Sequence, residues 1–153
     1  MIIRSEVFKE GDCIPDRYTC EGLNISPPLR WYNVPPNTKS FVLIMEDLDS
    51  PLGVFTHWIV YDIHPEERWL PENLPKKAML DSKKQGINDF GKVGYGGPCP
   101  PRGHGKHRYV IRLLALDKES LGIREGEKRE RVEGALSGHV IKEASLIFYY
   151  QRL

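Results

Sequence analysis

Three stretches of the chain carry side chains suited to holding a small charged group. Asp47-Leu48-Asp49-Ser50-Pro51 sets two carboxylates in a turn, His57 stands alone, and His107-Arg108 puts an imidazole beside a guanidinium. Between the two histidines runs Gly94 to Gly105, a segment of glycines and prolines that also contains Cys99, Arg102 and His104. Small residues there permit close backbone approach, and the prolines stiffen the path. A neutral imidazole donates one hydrogen bond and an imidazolium two, while loop N–H groups add fixed dipoles. The chemistry that follows is capture of an anion. A carboxylate in the same pocket repels an anion unless it holds a histidine charged or fixes its tautomer. The expectation is therefore that Asp47 raises the pKa of a pocket histidine and that anion affinity falls as pH rises.

Each of these residues also has an ordinary structural reading. An Asp just after a strand more often bonds its own turn backbone, and a lone His near a strand end is usually a satisfied boundary residue. Arg108 reads as a surface charge or, more usefully, as a partner that ties Asp49 and its loop to the third strand. Trp58, Tyr95 and Tyr109 read as core or pocket wall, because aromatic rings bury large areas in any fold. His64 and His139 read as structural, and His104 as flanking the pocket.

The candidates gain weight from the elements that must position them. Ser40 to Met45 is a continuous apolar run, long enough for a strand buried on both faces and too short for a helix. His57 to Ile63 and Arg108 to Leu116 are rich in β-branched and aromatic residues. Ala144 to Tyr150 reads as a closing strand, and Phe8 with its neighbours and Leu29 to Trp31 as short edge strands. If the three central strands are neighbours, their ends bring Asp47, His57 and His107 to one rim of the sheet. One helix is expected from about Glu127 to Ser137, where Val132, Ala135, Leu136 and Val140 give an apolar stripe that Gly138 ends. The fold class is thus mainly β, with antiparallel sheets and a helix near the C-terminus.

A length of 153 residues suits one domain, spanning 1–153, with a core that needs no staples. The balance of 22 basic against 21 acidic residues excludes nucleic-acid or membrane binding through net charge, so an anion site must be local. The opening residues show no signal peptide and no apolar run could span a bilayer, so a cytoplasmic protein is expected. Cys13, Cys20 and Cys99 form no metal-spaced pair and are expected as reduced thiols, with one disulfide left open. Two His and one Asp without ligand spacing argue against a metal, and no cofactor is called for. A hydrolase using the His/Asp set as acid and base is the alternative. G-x-S-x-G is absent and Ser50 sits in a turn, so no activated nucleophile is evident.

Taken together, the motifs resemble those of the phosphatidylethanolamine-binding protein family, which includes Raf kinase inhibitor protein. Asp47 to Pro51 looks like the family's D-P-D-x-P signature, with Leu48 where that signature has its first proline. Pro100 to Tyr109 is similar to P-P-x-G-x-G-x-H-R-Y/F. Ile14-Pro15, Tyr18 to Gly22 and Ser26 to Trp31 look like the compact bacterial and archaeal branch. The resemblance implies a large central sheet packed on a smaller one, and a binding protein without catalysis. It implies that Asp47, Phe55, His57, Gly97, Pro101, His107 and Tyr109 surround a phosphate or phosphorylated head group. Asp49 and Arg108 would support the pocket loops. Some members inhibit proteases or kinases, which implies a protein target, and a homodimer is compatible with this branch. The resemblance puts Cys20 in an early loop and Cys99 on the pocket loop, so contact between them is allowed, as is a Cys13–Cys20 pair.

Overall fold

The apolar run after Ser40 forms the middle of the fold. A computed structural model describes residues 1–153, and in it β3 (Ser40–Asp47) is buried at all of its positions. It is flanked by β4 (Phe55–Ile63) and β8 (His107–Leu116), with β9 (Val140–Tyr150) beyond β8. Two short strands, β6 (Met79–Leu80) and β7 (Lys83–Gln85), extend the other edge, giving the order β6-β7-β4-β3-β8-β9 with every pair antiparallel. A smaller sheet holds β1 (Ile2–Arg4), β2 (Leu29–Tyr32) and β5 (Trp69–Leu70).

Period-two alternation explains why β3 is buried on both faces. Phe41, Leu43 and Met45 face a core shared with Ile3, Trp31 and Leu70 of the small sheet. Val42 and Ile44 face the other way, onto Val132 and Leu136 of α1 (Arg129–Leu136). Side chains that alternate between two apolar layers leave no polar position, which is why this strand reads as an unbroken hydrophobic run. The helix is also held by charge: buried Glu46 accepts from Arg112 at 2.9 Å and pairs with Arg129 at 2.7 Å.

Three expectations change here. Phe8 lies outside any strand; its ring packs on Phe148 at 5.0 Å, and the edge strand forms earlier, at Ile2–Arg4. Val140 belongs to β9 and not to the helical stripe, because Gly138 takes φ of 82° and turns the chain out of the helix. The thiols are not all reduced: Cys20 and Cys99 form a disulfide with Cα atoms 5.4 Å apart, and only Cys13 is free.

Trp58 anchors β4 to the sheet edge. Its Nε1–H donates to Gln85 Oε1 at 2.8 Å, and Gln85 Nε2 in turn donates to the carbonyls of Pro75 and Lys77. Trp58→Phe keeps a ring but leaves the buried Gln85 oxygen without a donor. It is expected to cost about 1–3 kcal/mol in urea denaturation. A loss indistinguishable from zero would mean that Gln85 finds another partner.

Candidate functional site

The three central strands end together, and a register irregularity decides what they present. Met45 pairs with Trp58, but the next pair is Glu46 with Thr56, so His57 is the extra residue of a bulge. Thr56 and Glu46 both contact Arg129 on the helix side. Trp58 faces the opposite core. The bulge lets His57 avoid the helix side and join Asp47, Phe55 and Tyr109, which are themselves paired across β4-β3-β8. His57 then lies 5.4 Å from the Tyr109 ring and 4.9 Å from Phe55, centroid to centroid.

These side chains line a cleft of about 360 Å³. Asp47, Phe55, His57, Pro101, His107 and Tyr109 all contribute to it. Gly97 does not: it lines the neighbouring concavity, where its N–H donates to Asn24 Oδ1 at 2.7 Å. A Cβ there would meet Tyr18 O at 2.3 Å, so the glycine is needed for close packing on the Tyr18–Thr19 backbone. Ser50, Pro51, Leu52, Phe90, Cys99 and Pro100 complete the wall, of which Leu52 and Phe90 had no sequence-based role. Phe90 sits in a polar loop with no periodicity, so no sequence signal marks it. Its ring meets Phe55 edge-on at 4.8 Å and His57 at 5.3 Å.

The polar groups are committed in a specific way. Asp47 is 5% exposed, and both its oxygens accept: Oδ1 from the Asp49 N–H at 2.8 Å and Oδ2 from His107 Nδ1 at 2.7 Å. The carboxylate therefore orients His107. His107 Nε2 lies 2.6 Å from His104 Nδ1, so one proton sits between the two rings. His57 Nδ1 donates to the Gly96 carbonyl at 2.6 Å, which leaves Nε2 for the cleft. Burial lowers the pKa of His57, against the opposing pull of the Gly96 carbonyl and the Asp47 and Asp89 charges. For this histidine Asp47 acts in the expected direction, and desolvation outweighs it. Tyr109 is wholly buried, and its hydroxyl makes no well-formed hydrogen bond in the protein although the Asp47 carboxylate lies within its reach. Burial and, next, the charge of Asp47 push its pKa up, so the phenol stays protonated and remains a donor.

Asp49 and Arg108 meet as expected. The Arg108 Nε and Nη2 groups donate to the two carboxylate oxygens at 3.0 Å each, and the Arg108 N–H donates to Oδ2 at 2.7 Å. Hydrogen bonding from Arg108 holds the Asp49 carboxyl below its usual value. With Leu48 N–H donating to Arg108 O at 2.8 Å, this clamps the Asp47–Pro51 turn to the start of β8. Of the other histidines, His139 bonds Asp117 and His64 accepts from the Glu66 N–H, both away from the cleft.

Fold and site together define a two-sheet antiparallel β protein with an imidazole-walled cleft at the end of its central strands. The chain belongs to the phosphatidylethanolamine-binding protein family, whose model matches residues 4–151. A UPF0098 protein of Aquifex aeolicus is 53% identical over 99% of this chain and 89% of its own length. YbcL of Escherichia coli superposes with a TM-score of 0.92 at 30% identity, covering 99% of this chain and 98% of that one. A phosphatidylethanolamine-binding protein homologue from Chlamydia trachomatis gives 0.88 at 39% identity, covering 99% and 97%. No helix of the chain is long and apolar enough to cross a membrane.

Proposed function

We propose that the cleft captures a phosphate-type or other small anionic group and does not transform it. The observation that carries this reading is the Tyr109 hydroxyl, a buried donor without a well-formed hydrogen bond in the protein, set in the same cleft as His57. A buried polar group left unpaired costs about 1–3 kcal/mol, and an anionic oxygen would remove that cost. Family membership supports binding over catalysis. So does the cleft chemistry: Ser50 lines it, but no hydrogen bond joins Ser50 to a histidine, and Nδ1 of both His57 and His107 is committed elsewhere. The hydrolase alternative lacks an activated nucleophile.

A protein target, a protease or kinase as in some family members, is the corresponding proposal for the rim. Leu52 is fully exposed there and Phe90 is 45% exposed, which gives the cleft an apolar lip. Cytoplasmic residence belongs to the same proposal, and the Cys20–Cys99 cross-link weighs against it, since cytosolic thiols are ordinarily kept reduced.

Calorimetric titration of inorganic phosphate and phosphorylethanolamine tests the reading. Wild type is expected to bind both, His107→Ala to lose binding, and Tyr109→Phe to weaken it about five- to thirtyfold for one lost hydrogen bond of roughly 1–2 kcal/mol. Circular dichroism checks that each variant is folded. Absence of binding by folded wild type would sink the reading.

A further inference from the structure

The cleft has a neighbour. A second concavity of about 340 Å³ is lined by Asn24, Lys76, Asn88 and Lys92 over a floor of Gly96 and Gly97. The two share a wall made of Phe90 and Cys99. Phe90 can lie there because residue 96 is glycine: a Cβ would meet its ring at 2.6 Å. Gly96 also joins the two sides directly. Its N–H donates to His57 O at 3.0 Å, and its carbonyl accepts from His57 Nδ1 at 2.6 Å.

The charge of this second cleft is one-sided. Two lysines line it and no carboxylate does. Partial desolvation at the cleft and, next, the charge of Lys92 lower the pKa of Lys76, with no acidic group acting in the other direction. Lys76 Nζ donates one hydrogen bond, to Asn24 O at 3.0 Å, which fixes the ammonium at the cleft and leaves its other protons free. Asn24 is pinned in turn, with φ of 58° and its Oδ1 taken by the Gly97 N–H. Two like charges lining one concavity without a counter-charge make a place where an anion relieves repulsion as well as gaining attraction.

We propose that this second cleft binds an anionic group, and that both clefts together take one ligand carrying two anionic groups, such as a bisphosphate or a phosphorylated carboxylate. The bridging part of this inference rests on the reading of the His57/His107 cleft given above. Joining two weak anion sites through one molecule makes the second contact intramolecular, so affinity rises without any new residue. Specificity follows as well, because a simple phosphate fills only one site at a time.

NMR titration of isotope-labelled protein separates the two parts. Inorganic phosphate is expected to shift the amide signals of His107 and Tyr109 as one set and those of Lys76, Lys92 and Gly97 as another. Among alkane bisphosphates of graded chain length, at least one is expected to bind about tenfold or more tightly than phosphate. In Lys76→Gln/Lys92→Gln that advantage is expected to vanish while the histidine set still answers phosphate. Both lysines are exposed, so the double variant should fold. A response confined to the histidine set, or a bisphosphate advantage that survives the double variant, overturns this inference and leaves the first cleft standing. A response confined to the lysine set overturns the reading of the first cleft and the bridging ligand with it. No response at either set overturns both.

Discussion

Removing the disulfide with Cys20→Ala/Cys99→Ala is expected to lower the unfolding free energy by about 4 kcal/mol. The two cysteines are 79 residues apart. Cross-linking so long a loop removes much of the conformational freedom of the unfolded chain. The native arrangement has other ties at the same junction. Cys20 N–H donates to Pro98 O at 3.2 Å, Gly97 N–H to Asn24 Oδ1 at 2.7 Å, and Arg152 Nε to Pro100 O at 2.7 Å. The loops should therefore keep their positions when the cross-link is gone, and the loss falls on the unfolded state. For a chain of this size it corresponds to a fall in Tm of roughly 8–16 °C. Wild type treated with a reductant should drop by a similar amount, while the double variant should not respond, since Cys13 has nothing left to pair with. A shift of under about 2 °C would show that the unfolded chain is already constrained or that the native cross-link is strained.

That cross-link also marks where sequence reasoning stops. Asp47, His57 and His107 were legible because each stands at the end of a strand with a strong β signature, and strand ends on one rim bring such residues together. The rule that cytosolic cysteines stay reduced describes a compartment, not a pair of loops; pairing needs Cys20 and Cys99 at 5.4 Å, which is a property of the tertiary fold. The bulge at His57 was equally hidden. A period-two count from Trp58 puts His57 on the helix face, and only the extra residue in the register returns it to the cleft. The strands β5, β6 and β7 are two or three residues long, below any detectable period. The family resemblance implies Gly97 around the ligand, whereas it lines the neighbouring concavity and packs closely on the Tyr18–Thr19 backbone. Burial is hidden for a related reason: desolvation lowers the His57 pKa while Asp47 acts to raise it, and only the neighbouring carboxylate is visible in a sequence.

Sulfate affinity is expected to fall about tenfold for each pH unit above the titration of His57 in the free protein. Sulfate keeps a constant charge over this range, so the dependence belongs to the protein. Nδ1 of His57 is already spent on the Gly96 carbonyl, and a neutral ring then presents a bare lone pair at Nε2. An oxyanion is repelled by that lone pair and held by the N–H of the imidazolium, so binding takes up a proton. The groups facing the ring are Asp47 and Asp89, which favour that proton, and Tyr109, which stays neutral. Desolvation outweighs the two carboxylates, and the titration lies below the ordinary histidine value. The same shift sets the pH dependence of stability with the opposite sense. A histidine whose folded pKa is depressed binds fewer protons folded than unfolded, so the unliganded protein loses stability as pH falls below about 6.5 toward the folded value. Acid should thus weaken the empty fold and tighten its hold on the anion, and saturating sulfate should recover part of the lost Tm. His57→Gln, which offers an amide N–H at every pH, should flatten both trends. Equal sulfate affinity of wild type at about pH 5.5 and about pH 8 would place the proton elsewhere and remove His57 from the binding step.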